Sequence, residues 1–185
     1  MTIKEIMNDM ETKMKKTVEA THREFGAIRT GRASISLVDN IRVDYYGAPT
    51  PLKQVAAVTT PDARLIMIQP WDKNVLLEVE KAIQKSDIGI APTNDGKCIR
   101  LSIPPLTQER RAELDKVLKK IAEDGRVSVR TTRHGAIEHI KKLEKDKTAT
   151  EDERFKAQDD VQKLTDKYIK DIDNLLSAKE KEIYS

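Results

Sequence analysis

All seven prolines of this 185-residue chain fall in one central stretch, between positions 49 and 105. Proline lacks a backbone N–H and clashes with the preceding helical turn, so it is nearly excluded from helix interiors. Residues 1–30 and 106–185 are therefore free to form long helices, whereas residues 31–105 are not. This distribution predicts a helical protein that is interrupted by one domain of a different kind.

Apolar residues in both flanks recur every three or four positions, which places them along one face of an α-helix. The first flank carries one such stripe, and the second carries two, separated near residues 145–147. Because a helix with one apolar stripe is not stable alone in water, we expect the three helices to pack together. The stripes comprise Ile3, Met7, Met10, Met14, Val18, Thr21, Phe25 and Ile28; then Leu114, Leu118, Ile121, Gly125, Val129, Thr132, Ala136, Ile140 and Leu143; then Phe155, Val161, Leu164, Tyr168, Ile172, Leu175, Leu176 and Ile183.

The central stretch instead shows the alternation that is typical of half-buried strands. The predicted strands are 41–46, 55–60, 65–68 and 98–103, and the spacing over 72–85 predicts a helix. The expected fold class is therefore α+β with two domains. Residues 1–30 and 105–185 form an elongated three-helix bundle, and residues 31–104 form a small β/α/β domain inserted after the first helix.

An inserted domain is joined to its host by two connections, which lie side by side and restrict motion to few axes. Here the connections are Thr30-Gly31-Arg32 and Pro104-Pro105. We therefore predict a hinge at these residues, about which the two domains reorient.

Composition excludes several classes of protein. A single cysteine rules out a disulfide scaffold, and no apolar run approaches the ~20 residues that span a bilayer. The N-terminal segment is interrupted by charges every few residues, unlike a signal peptide. We therefore expect a cytoplasmic monomer that has no contact with membranes.

Enzymatic motifs are missing from the sequence: it contains no phosphate-binding loop, no zinc-protease motif and no nucleophile elbow. Cys98 lies in a predicted strand and is interpreted as a buried structural thiol. His134 and His139 are five residues apart, a spacing that does not align them on one helical face. We therefore expect no catalytic activity, no metal and no cofactor.

Positive charge is concentrated in the second long helix, where residues 105–145 hold 11 basic and 7 acidic residues. Arg126, Arg130 and Arg133 share one face of that helix, and Lys119 joins them. No acid lies between Arg126 and Arg133, and no glutamate lies four residues from any of them. The row is therefore predicted to be unpaired and suited to phosphates. A solvated face that only aids solubility remains the alternative.

Aromatic residues make up only 4% of the chain, which disfavours base stacking on single-stranded nucleic acid. If the basic row binds RNA, recognition of the backbone and shape of folded RNA is the favoured mode.

Several longer runs of residues also resemble those of a known protein family. They are IRTGRAS at 28–34, VDYYGAPTP at 43–51, QPWDK at 69–73, EKAI at 80–83, SDIG at 86–89, NDG at 94–96, IRLSIPPLT at 99–107, ERR at 109–111 and DDVQKLTD at 159–166. In this order, along the whole chain, they resemble the bacterial ribosome recycling factors.

The resemblance implies a three-helix bundle with an inserted β/α/β domain, arranged as an L similar in outline to tRNA. It implies a factor that acts after termination and, with elongation factor G and GTP, splits the ribosome into subunits, releasing mRNA and tRNA. The bundle is expected to lie on 23S rRNA of the large subunit, and elongation factor G is expected to push the small domain. The resemblance also implies that the factor itself hydrolyses nothing.

Arginines that contact rRNA in the family are matched in this sequence, and the basic row adds Arg126 to the candidate rRNA-binding set. The matching positions are Arg29, Arg110, Arg130 and Arg133, with Arg32 corresponding less closely. Two departures from the family pattern are Ile35, where proline is common, and His134-Gly135, where an arginine and an acid are usual. A coiled-coil adaptor or chaperone without RNA binding is the alternative function.

Overall fold

The computed structural model describes all 185 residues and divides the chain into two units. One unit consists of Met1–Arg29 and Gln108–Ser185, and the other is Thr30–Thr107. The helices are α1 (Ile3–Ala27), α2 (Leu52–Val55), α3 (Leu76–Lys85), α4 (Gln108–Lys145) and α5 (Glu151–Tyr184), and the strands are β1 (Arg42–Tyr45), β2 (Ala48–Pro51), β3 (Ala56–Asp62), β4 (Leu65–Pro70), β5 (Pro92–Asn94) and β6 (Ile99–Ser102). The predicted fold class, a three-helix bundle with an inserted small α/β domain, is confirmed.

Capping boxes define the N-termini of α1 and α5. The Thr2 hydroxyl accepts a hydrogen bond from the backbone N–H of Glu5, and the backbone N–H of Thr2 donates to the Glu5 carboxylate in return. Thr150 and Glu153 repeat this arrangement at the N-terminus of α5. Each reciprocal pair satisfies backbone N–H groups that the first helical turn leaves without partners.

Apolar side chains from α1, α4 and α5 form the core of the first unit, and most of the predicted stripe residues are buried or half-buried. Phe155 is the exception, because 55% of its surface is exposed and the Arg154 guanidinium lies 4.1 Å from its ring centroid. Stacking against a cation therefore replaces burial for this residue. Ile6 and Ala157 are buried although the stripes did not include them.

A tight reversal joins α4 to α5. The backbone N–H of Thr148 donates to the carbonyl of Leu143 at 2.8 Å, and that of Lys147 donates to Glu144 at 2.9 Å. These are the two bonds of a Schellman motif, and Lys147 occupies its left-handed position with a φ of 57°. The motif ends α4 at Lys145, so α5 can return antiparallel to it.

The second unit contains a four-stranded antiparallel sheet in the order β3-β4-β6-β5 and a separate β1-β2 hairpin. The apolar face of α3, with Leu76, Val79 and Ile83, belongs to the same core as the inward side chains of β4 and β6. The alternation analysis missed β2 and β5, which are short and contain prolines. Both the proline of β5 and Pro61 of β3 lie in edge strands, where a missing N–H is tolerated.

No helix in the chain combines the length and the apolar character that a bilayer crossing requires.

Candidate nucleic-acid interface

A long uninterrupted helix presents the basic row. Because α4 runs without a break from Gln108 to Lys145, residues three and four apart stay on one side over its whole length. Arg130 is half-exposed, with 52% of its side-chain surface accessible, whereas Arg126 is only 21% exposed. Lys119 is exposed and pairs with Asp115 at 2.7 Å within the helix.

Arg126 is held by two carboxylates, so the prediction that it is unpaired is wrong. Its Nε donates to Asp173 Oδ1 at 2.8 Å, and a terminal nitrogen lies 2.6 Å from the same oxygen. Its other terminal nitrogen donates to Glu123 Oε2 at 3.0 Å. Because Asp173 belongs to α5, this arginine connects two helices of the bundle and is largely occupied by that contact.

Arg130 also has an acidic partner, so the prediction is wrong for this residue as well. It donates to Glu123 Oε1 at 3.0 Å, and Glu123 therefore bridges Arg126 and Arg130. Hydrogen bonds from Arg126 and then Arg130 lower the pKa of Glu123 below its ordinary value. Two guanidiniums and two carboxylates, those of Glu123 and Asp173, form a cluster whose formal charges cancel.

The spacing argument failed because it tested only positions four residues away. Glu123 lies three residues before Arg126 and seven before Arg130, and an extended arginine reaches both. The i,i+3 pair with Arg126 was detectable in the sequence. The contact with Asp173 was not, because it depends on the register of α5 against α4.

Arg133 is the member of the row that retains an uncompensated charge. Its terminal nitrogen donates to Gln162 Oε1 at 2.8 Å, and no carboxylate lies within ion-pair distance. Its Nε is buried and makes no hydrogen bond. The guanidinium is thus anchored through a neutral amide, an arrangement that fixes its position and leaves its positive charge available to an anion.

The other arginines of the candidate set lie outside the row. Arg29 is exposed directly after Ile28, the C-cap of α1, and makes no ion pair. Arg110 lies in the first turn of α4, where its exposed side chain pairs with Glu113 at 2.9 Å. Arg32 is exposed within the second unit.

Gly31 is required by its backbone geometry and by a close neighbour. Its φ of 72° lies in the left-handed region, and a Cβ at this position would lie 2.9 Å from Cγ of Leu106. The first predicted connection therefore packs directly against the residue that follows Pro105. No side chain larger than hydrogen fits between them without displacement.

Both connections are fastened to one turn of the second unit. The N–H of Ala33 donates to Ala63 at 2.7 Å, and the N–H of Ile103 donates to Arg64 at 2.8 Å. Residues 29–32 and 104–107 remain outside these bonds and outside regular secondary structure. These two short segments include all the residues of the predicted hinge.

Cys98 is buried, in agreement with its interpretation as a structural thiol. Its Sγ donates to Asp95 Oδ2 at 3.1 Å, and this hydrogen bond raises the pKa of the thiol. A nucleophilic cysteine needs the opposite shift, since the thiolate is the reactive form. His134 and His139 are both exposed, and no cluster of His, Cys, Asp and Glu side chains is arranged to hold a metal ion.

Comparison with known proteins identifies the family. The sequence model of the family described as ribosome recycling factor matches residues 21–184. The chain belongs to the ribosome recycling factor family. It is 56% identical to the ribosome-recycling factor of Nitratidesulfovibrio vulgaris, over 99% of this chain and 98% of that protein. It is 57% identical to that of Oleidesulfovibrio alaskensis, over 96% of this chain and 97% of the relative.

Solved structures of ribosome recycling factors share the fold. A solution structure of one such factor covers 98% of this chain and 97% of its own, with 45% identity and a TM-score of 0.70. The T. thermophilus factor, in a model with the E. coli elongation factor G on the E. coli post-termination complex, gives 42% identity and a TM-score of 0.64 over the full length of both chains.

Proposed function

We propose that this protein binds the post-termination ribosome and, with elongation factor G and GTP, separates it into subunits so that mRNA and tRNA are released. The observation that carries the proposal is the full-length match to factors of this family, one of which is described together with elongation factor G on the post-termination complex. The protein acts in the cytoplasm as a monomer, without a cofactor and without catalysing a reaction itself.

The bundle supplies the rRNA-binding surface, and Arg133 is its principal phosphate contact. It is the arginine of the row whose charge no carboxylate cancels, and its guanidinium is already positioned by Gln162. A positioned guanidinium grips phosphate oxygens through two N–H groups and loses little conformational entropy when it binds. The partner is the 23S rRNA of the large subunit.

Arg126 and Arg130 have different roles in this proposal. Arg130 is half-exposed and shares Glu123 through a single nitrogen, so a phosphate can replace that carboxylate. Arg126 is bound by Glu123 and Asp173 and chiefly connects α4 to α5. Arg29 and Arg110 are exposed cations of the same unit and add to the attraction for rRNA.

Charge reversal at Arg133 tests the interface. Arg133→Glu should leave the helical circular dichroism spectrum intact and weaken binding to large ribosomal subunits by at least about tenfold. The plot of log affinity against log salt should become less steep by about one unit, since one phosphate contact is lost. Lys13→Glu on α1 makes the same charge change at a lysine that Asp9 already neutralises. Equal effects of the two variants would refute a specific role for Arg133.

The connections at Thr30-Gly31-Arg32 and Pro104-Pro105 are the proposed hinge through which elongation factor G acts. In this proposal, force on the inserted unit is passed to the bundle through these short connections. Lengthening either connection by a few flexible residues should leave binding to the large subunit intact and slow subunit splitting with elongation factor G. Splitting at the full rate would show that the connections do not transmit force.

The alternative of a coiled-coil adaptor has little support from the surface of the helices. Such an adaptor needs a continuous apolar outer face, whereas the large apolar side chains exposed on the long helices are Phe155 and Tyr184 near the two ends of α5, and Val117 and Val127, ten residues apart on α4. Ten residues correspond to about 280° of rotation, so the two valines are not stacked on one face.

A further inference from the structure

A neutral side chain, that of Gln162, lies between the charged side chains of Arg133 and Asp166, and the spacing of charges along the sequence does not account for it. Gln162 of α5 accepts a hydrogen bond from Arg133 at 2.8 Å, and its amide nitrogen donates to Asp166 Oδ1 at 2.8 Å. The amide thus stands between a cation and an anion that would otherwise attract each other. Neither Arg133 nor Asp166 has an ion-pair partner, although both neighbouring arginines of the row do.

We infer that Gln162 is a positioning residue for rRNA binding, one that orients the Arg133 guanidinium without neutralising it. This inference rests on the proposed function, because it assumes that Arg133 contacts a phosphate. Gln162 itself does not need to touch the RNA.

The chemistry of the glutamine side chain accounts for this role. A glutamate at the same place would accept the same hydrogen bond but would add a negative charge beside the guanidinium, and a phosphate would then have to displace it. An alanine would leave the charge intact but the guanidinium without its anchor. The buried and unpartnered Nε of Arg133 shows that the side chain is already partly desolvated, so a fixed orientation matters more here than for an exposed arginine.

A second Arg–Gln pair on α5 provides a matched comparison. Arg154 donates to Gln158 at 3.2 Å, one helical turn before Gln162. Arg154 also pairs with Glu144 at 2.7 Å and Glu151 at 3.8 Å, so its charge is already compensated. Gln158→Glu therefore introduces a glutamate on the same helix beside an arginine whose positive charge is already neutralised.

A charge-conserving exchange tests the inference. The double substitution Gln162→Glu with Asp166→Asn moves one negative charge from position 166 to position 162 and retains a hydrogen bond between the two side chains. The net charge of the protein is unchanged, so a loss of affinity cannot come from overall electrostatics. We expect binding to purified large ribosomal subunits to weaken by about tenfold, with a shallower salt dependence and an unchanged melting temperature.

The same exchange is then made in the Arg133→Ala background, and Gln158→Glu is measured beside it. If the exchange weakens binding only when Arg133 is present, and Gln158→Glu has little effect, the inference is supported. The inference would be overturned if the exchange weakened binding equally in both backgrounds. It would also be overturned if the exchange had no effect in either background while Arg133→Ala alone weakened binding. Unchanged binding of Arg133→Ala alone would instead overturn the proposed contact of Arg133, and this inference with it.

Discussion

Two glycines in α4 should respond in opposite ways to the same substitution. Gly125 lies at the centre of the bundle, where an added Cβ would stand 2.7 Å from Oγ1 of Thr21 and 3.2 Å from Cδ1 of Ile172. At Gly135, an added Cβ would meet no atom within 4 Å other than those of the adjacent residues and of the local helix backbone. Replacing either by alanine gives the helix the same gain of about 1 kcal/mol in intrinsic propensity.

The difference between the two variants therefore isolates the packing effect at Gly125. Thr21 cannot move aside easily, because it is buried, branched at Cβ and bonded to the carbonyl of Thr17 at 3.0 Å. Overpacking of this kind costs about 1–3 kcal/mol. We expect Gly135→Ala to stabilise the bundle by about 1 kcal/mol and Gly125→Ala to be less stable than Gly135→Ala by about 1–3 kcal/mol.

Urea unfolding followed by far-ultraviolet circular dichroism measures this difference, because most of the helix lies in the bundle. The single tryptophan, Trp71, lies in the other unit, so its fluorescence reports that unit separately. Adding Thr21→Ala should reduce the penalty of Gly125→Ala, since the nearest atom is removed. If Gly125→Ala proved as stabilising as Gly135→Ala, the close approach of α1 to α4 at this residue would be refuted.

Two further predictions concern charged side chains. Arg126→Ala should destabilise the bundle by about 1–2 kcal/mol in urea unfolding, because it removes the bond to Asp173 on α5. Arg130→Ala should change the stability by less than about 0.5 kcal/mol. Equal losses of stability in the two variants would contradict the roles assigned to these arginines. The backbone N–H of Cys98, with other donors, lowers the pKa of Asp95 to about 2. The ionised Asp95 carboxylate therefore stabilises the inserted unit fully above about pH 4, and this stabilisation is lost as the pH falls through about 2. The loss of unfolding free energy caused by Asp95→Ala, measured by Trp71 fluorescence, should accordingly become smaller over that range. A constant loss would contradict this.

Local patterns predicted the helices and strands well where one physical constraint dominated. The exclusion of proline marks the flanks of the inserted unit, and the stripe from Leu114 to Ile140 matches the buried face of α4. The break in the apolar stripes near residues 145–147 matches the end of α4 at Lys145. Patterns failed for short segments such as β2 and β5, in which the sheet overrides the weak strand propensity of proline.

The candidate interface was only partly predictable. Spacing placed Arg126, Arg130 and Arg133 on one face of α4, because that depends on one helix alone. Which of them carries a free charge depends on the side chains that α5 brings alongside, here Asp173 and Gln162. Since the register between two helices is set by packing along their whole length, a single sequence stripe does not contain that information.

The most direct test of the account is light scattering of purified post-termination ribosomes, mixed with this protein in the presence and absence of elongation factor G and GTP. The account predicts that scattering falls to the level of separate subunits only when all three are present. Intact ribosomes with the complete mixture, or complete splitting by the protein alone, would contradict it.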